Sequence, residues 1–238
     1  MILKGGKLYY DTPVGVICLE SLFPKPRGHV RNPRTFDFPV VCKVVTGVDI
    51  PKLLFNPTDE LVKPFIEAAR ELEREGVLAV TGSCGFLARF QKDIAAALHI
   101  PVFTSSLIQI PLVKVLHGPG CRIGVLTASA AALTPAHFAN VGACMEDVSI
   151  KGMEGFPEFW ETIIEGRRHD FDMDVLEREI CQAAVDLKRD HNLDALVLEC
   201  TDLSAFSRSI QQAVQIPVYD IDSLVEYVHY SVCRKRYA

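Results

Sequence analysis

A chain of 238 residues, 49% apolar and carrying a net charge of −5, is long enough to bury one large core or two ordinary ones. The acidic balance without a clustered basic face excludes a nucleic-acid partner, and no apolar run approaches the ~18 residues of a membrane span. The opening MILKGGKLYYDTP lacks the apolar segment of a secretory signal, so a cytoplasmic protein without membrane attachment is expected.

Tyr9 and Tyr10 are placed to pair on a sheet edge, and residues 14–20 read as a buried strand. Periodicity then stops. Residues 21–39 hold four prolines together with Arg27, Arg31 and Arg34, and a connection of that length is functional or disordered. Because it follows the first strand, it is expected at the carboxyl edge, where open α/β sheets bind ligands. Residues 40–47 give a second strand. Residues 58–75 give a helix with Leu61, Phe65, Ala68, Ala69 and Leu72 at helical spacing, closed by Gly76. A strand at 77–84 stops at Gly82-Ser83-Cys84-Gly85; a helix at 86–98, a strand at 101–104 ending in Thr104-Ser105-Ser106, and a helix at 107–116 follow. The turn at 117–120 divides the chain into lobes 1–117 and 118–238, with the C-terminal helix free to pack back on the first.

The second half opens with a strand at 122–127 and continues through Ala128-Ser129-Ala130 to a helix at 135–141 and a short strand at 148–151. Residues 152–166, with Trp160, read as a loop and short helix. A helix at 172–191, a strand at 195–200 ending at Cys200, a helix at 203–214, a strand at 217–220 and a helix at 222–236 complete it. The alternation of strands and helices implies parallel sheets.

The halves repeat one another. An offset of 116 (200 minus 84) places Cys84 on Cys200, Leu87 on Leu203, Phe90 on Phe206 and Ile94 on Ile210; an offset of 109 places residues 14–17 on 123–126. A period of this length is a duplication and not a solenoid. It predicts an α/β fold of two pseudo-symmetric lobes, each with a mainly parallel sheet flanked by helices, and with Cys84 and Cys200 entering a shared cleft from opposite sides. A thiolate is favoured at a helix N-terminus. Two opposed thiols supply a matched base and acid on the two faces of one carbon, which is what cofactor-independent racemisation requires. Backbone N–H groups after each strand are free to bind a carboxylate, and Gly85 permits close approach. Ser83, Phe86 and Asp202 adjoin the thiols, while Thr127 and Ser129 end a strand that faces the cleft. Glu199 alternates to the opposite face from Cys200 and reads as structural.

Cys18, Cys42, Cys121, Cys144, Cys181 and Cys233 read as small buried hydrophobes in a reduced protein. No C-x-x-C pair or helical H-x-x-x-H supports a metal site. Gly118-Pro119-Gly120 precedes a strand instead of following one, so no dinucleotide cofactor is expected.

At TGSCGFL around Cys84, LECTDL around Cys200, IGVLTAS at 123–129 and in the order of its elements, the chain resembles the aspartate/glutamate racemase superfamily. The resemblance implies two pseudo-symmetric α/β lobes, one catalytic cysteine in each, no cofactor, and a small amino-acid or dicarboxylate substrate. Cys200-Thr201 matches the cysteine-threonine pair, whose threonine holds substrate in the racemases. Gly85 and Phe86 stand where those enzymes commonly have asparagine and threonine, and Glu20-Ser21 stands where aspartate-serine is usual. The expected activity is therefore amino-acid racemisation or epimerisation, an isomerase reaction. The alternatives are a related cis-trans isomerase or decarboxylase of small dicarboxylic acids, or a carboxylate binder without catalysis. A homo-oligomer is compatible with all of them.

Overall fold

The computed structural model describes residues 2–235. Strand β1 (Val14–Leu19) is buried along its whole length, because β2 (Val40–Val45) and β3 (Ala79–Gly82) flank it and β4 (Val102–Phe103) extends the sheet to β2-β1-β3-β4. In the second half β5 (Ile123–Thr127), β6 (Val148–Gly152), β7 (Ala195–Leu198) and β8 (Val218–Tyr219) repeat the order as β6-β5-β7-β8. Every pairing is parallel. The repeat extends to the register. Val14 pairs with Ala79 and Ile123 with Ala195, partners related by the offsets of 109 and 116; Val80–Val102 and Leu196–Val218 are related by 116 on both sides.

Helices α1 (Ile50–Phe55), α2 (Val62–Glu75), α3 (Gln91–Ala96) and α4 (Ile110–His117) belong to the first half, and α5 (Pro135–Ala139), α6 (Pro157–Phe159), α7 (Met173–His191), α8 (Ser207–Val214) and α9 (Ile221–Val232) to the second. In α2, Phe65, Ala68, Ala69 and Leu72 face the core, and burying Phe65 or Leu72 is worth on the order of 2 kcal/mol each. Gly76, at φ +121°, ends the helix by donating to the Leu72 and Glu73 carbonyls. The last helix, α9, is fixed by Asp220, whose carboxylate accepts from the Ser223 N–H, and buries Ile221, Leu224 and Val225 against Val14, Val16, Ala79 and Phe103 of the first sheet. The helix ends at Val232, short of the expected 236: the Cys233 N–H closes it on the His229 carbonyl, residues 233–235 are not helical, and residue 236 lies outside the described residues.

Several expectations need correction. Tyr9 and Tyr10 join no sheet; the Leu8 and Tyr9 N–H groups bond to the Glu75 carbonyl at the end of α2. Helix α1 was not anticipated, although Asp49 before Ile50-Pro51 carries its start signal: the Asp49 side chain accepts from the Lys52 N–H. The helices after both thiols begin as 3₁₀ turns, Gly85–Phe90 and Thr201–Phe206, before α3 and α8. Cys42 and Cys144 are exposed, not buried.

Residues 21–39 contain no helix or strand, yet they are ordered by their own bonds. Thr35 donates to the His29 carbonyl at 2.7 Å and Asn32 to the Lys25 carbonyl at 2.7 Å, while Val30 and Phe36 are buried beside α9. Gly28, at φ +95°, lies against the Ala205 backbone, where a side chain would collide. The segment thus crosses from the first lobe onto the second.

Candidate active site

Cys84 follows β3 and Cys200 follows β7, each as the residue from which a 3₁₀ turn starts. Both line one cavity between the lobes, together with Ser83, Gly85, Phe86 and Asp202. The cavity is narrow, about 20 Å³, roughly the space of one water. It adjoins a funnel of about 570 Å³ walled by Glu20 to Phe23, Ile50, Pro51 and residues 162–166. The floor is stitched across the lobes. Thr201 donates to the Ser83 carbonyl at 2.6 Å, Ser106 to the Leu198 carbonyl at 2.5 Å and Gln109 to the Asp220 carbonyl at 2.7 Å. A side chain at Gly85 would overlap the carbonyl and carboxyl oxygens of Glu199, so only glycine lets the strand ends meet.

The segment 21–39 supplies the cationic wall. Lys25 donates to the Phe23 carbonyl at 3.2 Å and lies over the Phe23 ring; Arg31 donates to Ser21 Oγ at 2.7 Å and to the Leu19 carbonyl at 3.3 Å. His29 Nε2 lies 3.0 Å from Asp202 Oδ1, and His29 Nδ1 accepts the Arg31 N–H at 3.0 Å. Since Nδ1 is an acceptor, a neutral His29 carries its proton on Nε2 and donates it to Asp202. The other Asp202 oxygen faces Cys200 Sγ at 3.7 Å. Leu19, Phe23, Ile50, Leu54, Ile163 and Ile164 make the remaining surface apolar.

Burial dominates the titration of these groups. It pushes both thiols well above their ordinary range, and the nearby carboxylates of Glu199 and Asp202 add to the rise; the Phe86 N–H at Cys84 and the Asp202 N–H at Cys200 oppose it only in part. The expectation of thiolates favoured by helix N-termini is therefore overturned, since six-residue 3₁₀ turns do not offset desolvation. Burial also lowers Lys25 to about 8 and keeps His29 neutral. Burial alone would raise the Asp202 carboxyl, but the hydrogen bond from His29 and the charge of Lys25 hold it below its usual value. Glu199 is raised to about 7 by burial, against the bonds from Thr127 and the Ala128 N–H.

Ser21, Ser83, Gly85, Phe86 and Asp202 thus join the two thiols around the cavity. Glu20 reaches only the outer funnel, and its carboxylate accepts from the Gly47 N–H at 2.7 Å. Three further residues do not line the cavity, because their hydroxyls are engaged elsewhere: Thr127 with Glu199 at 2.6 Å, Ser129 with Glu154 at 2.8 Å and Thr201 with Ser83. Glu199 is not remote from the thiols as strand alternation implied, for it packs against Gly85 beside Cys84. Lys25, His29 and Phe23 were missed altogether. The run KPRGHVR at 25–31 marks a basic segment without saying which side chains face the cavity: Arg27 is exposed while Lys25, His29 and Arg31 turn inward.

Among the described residues no helix is long and apolar enough to cross a membrane. The sequence profile of Asp/Glu/Hydantoin racemase matches residues 37–225. The fold is similar to that of glutamate racemase from Francisella tularensis subsp. tularensis SCHU S4 in complex with D-glutamate, with a TM-score of 0.56 at 18% identity over 95% of this chain and 85% of that one. Dimethylsulfoniopropionate lyase 3 of Emiliania huxleyi (strain CCMP1516) is 31% identical over 225 residues, 90% of this chain and 58% of that protein; the chain therefore spans little more than half of that relative's length. Dimethylsulfoniopropionate lyase of Durusdinium sp. clade D is 28% identical over 218 residues, 87% of this chain and 70% of that protein. These relatives overturn the expectation of an amino-acid racemase and of an isomerase. A lyase stands nearer to the decarboxylase alternative, which also breaks a bond to carbon.

Proposed function

The chain belongs to the Asp/Glu/Hydantoin racemase family, and on that footing we propose that it is a lyase that expels a sulfonium group from the carbon β to a carboxylate. Dimethylsulfoniopropionate is the substrate this reading names. Removal of a proton from the carbon next to its carboxylate forms a carbon–carbon double bond as the carbon–sulfur bond breaks. The products are acrylate, dimethyl sulfide and one proton.

The observation that carries this reading is the inequality of the two halves. At the offset of 116, Phe86 beside Cys84 corresponds to Asp202 beside Cys200. Racemisation needs the two thiols to exchange roles as acid and base, whereas a carboxylate at hydrogen-bonding range of Cys200 alone, Asp202 Oδ2 at 3.7 Å, makes the two unequal and favours the protonated form of that one. Elimination needs one base. Cys84 is that base: its thiol is protonated at rest, and the positive charge of an entering sulfonium favours the thiolate, whose proton leaves to solvent. The thiolate takes the α-proton, the C–H electrons become the new double bond, and the carbon–sulfur pair departs on dimethyl sulfide. Lys25 and Arg31 hold the carboxylate and stabilise the negative charge that grows on it, inside a cavity where water does not screen them. Cys200 remains a thiol and closes the opposite face.

Incubation of the purified protein with dimethylsulfoniopropionate, with dimethyl sulfide measured in the headspace and acrylate in solution, tests the assignment. Equal amounts of both products are expected. Intact substrate after prolonged incubation would refute it.

A further inference from the structure

Among the described residues, Asp202 holds the one carboxylate that lines the cavity. Its side chain is 11% exposed, and the residue that bonds it, His29, is 2% exposed. The bond from His29 Nε2 keeps Asp202 ionised without neutralising it, because a buried His29 whose Nδ1 accepts the Arg31 N–H is itself uncharged. Lys25 does not cancel the charge by pairing: its ammonium is engaged by the Phe23 carbonyl and ring, and no Lys25–Asp202 contact falls within ion-pair distance. The cavity therefore presents a fixed anion, with Phe86 and Phe23 available to methyl groups, and is lined by the cations Lys25 and Arg31 as well. A buried carboxylate whose contact partners are a neutral imidazole and a thiol, and on which the charge of Lys25 acts only from beyond ion-pair distance, can still take a cation at contact. A ligand with a carboxylate alone would engage the cations and leave Asp202 without a cation at contact.

We propose that Asp202 is the specificity-determining residue of this site, held in place by His29 as a positioning residue, and that it selects zwitterions bearing a methylated onium group β to a carboxylate. The inference rests on the lyase reading and extends it: any small carboxylate whose neighbouring group is neutral is discriminated against. Affinity is the quantity that separates the two ideas.

Calorimetric binding of the zwitterion 3-(trimethylammonio)propionate and of 4,4-dimethylpentanoate, its isostere with carbon in place of the charged nitrogen, to the unaltered protein measures the preference for the onium charge without turnover. The zwitterion is expected to bind at least about tenfold more tightly, and that ratio is expected to fall to near unity in Asp202→Asn and markedly in His29→Gln, with the isostere that lacks the ammonium bound as before. A purely structural role for His29 would weaken both ligands alike and leave the ratio intact. Equal affinity of the two ligands for the unaltered protein would overturn the inference even if neither variant folds, as would a ratio preserved in Asp202→Asn. Failure of the lyase reading shows separately, as an absence of dimethyl sulfide.

Discussion

The chemistry of this site turns on how few charges are buried and where. The two thiols share a cavity, yet only Cys200 has a carboxylate at hydrogen-bonding range, and the other carboxyl nearby, Glu199, lies behind Gly85. Glu199 is fully buried, and one of its oxygens lacks a hydrogen-bond partner. Its carboxyl binds a proton more tightly in the folded chain, at about 7, than in the unfolded one, near 4.5. Below about 4.5 both states are protonated and the group adds no charge penalty. Between there and about 7 the unfolded chain loses its proton first, so stability falls as pH rises, by roughly 3 kcal/mol in all. Glu199→Gln removes this dependence. In urea unfolding the variant should gain on the parent by about that amount between pH 4.5 and 8; an unchanged difference would show that Glu199 ionises as an exposed carboxyl does.

At the scale of elements, the site is made by two strand-to-helix turns and one long segment. The turns were legible because their signal is local: an apolar run stopped by small residues around a cysteine reads as a strand end wherever it occurs, and both Cys84 and Cys200 lie there. The glycine after Cys84 also has a reason that only the fold supplies. Gly85→Ala places a methyl group on Glu199, so the strand ends must separate, with an expected loss of about 1–3 kcal/mol and of most activity. A variant of parental stability and rate would mean that the two lobes yield more easily than their contacts imply. Lys25 and His29 were illegible for the opposite reason. Nothing in KPRGHVR states which side chains turn inward, because this is decided by Gly28 on Ala205 and by Val30 and Phe36 under α9, contacts with residues more than a hundred positions away. The thiols' high titration has the same origin, since burial is a property of the closed cavity and not of the turn.

For the whole molecule, the duplication predicted two lobes and a shared cleft, and the matched registers bear out the repeated sheets. It did not predict the reaction, since the symmetry of the cysteines suits racemisation while the differences that matter, Phe86 against Asp202 and the cationic segment present on one side only, occupy single positions. The cavity is too narrow for a substrate of several heavy atoms, so the walls must part for entry. The wall over the funnel is formed by α1 and by the π-helical turn Trp160–Ile164, which meet where the Phe55 and Trp160 rings lie 6.4 Å apart. Trp160 is the sole tryptophan. Its fluorescence should therefore change when 3-(trimethylammonio)propionate binds; a constant signal would place the entry route elsewhere.

We propose Cys84 as the base of an elimination. Proton NMR of dimethylsulfoniopropionate incubated with the parent protein, Cys84→Ser and Cys200→Ser tests it most directly, because vinyl protons of acrylate and methyl protons of dimethyl sulfide are followed together. Both signals are expected to grow in step with the parent protein, and the rate to fall at least about 100-fold in Cys84→Ser. Undiminished growth of those signals with Cys84→Ser would contradict it.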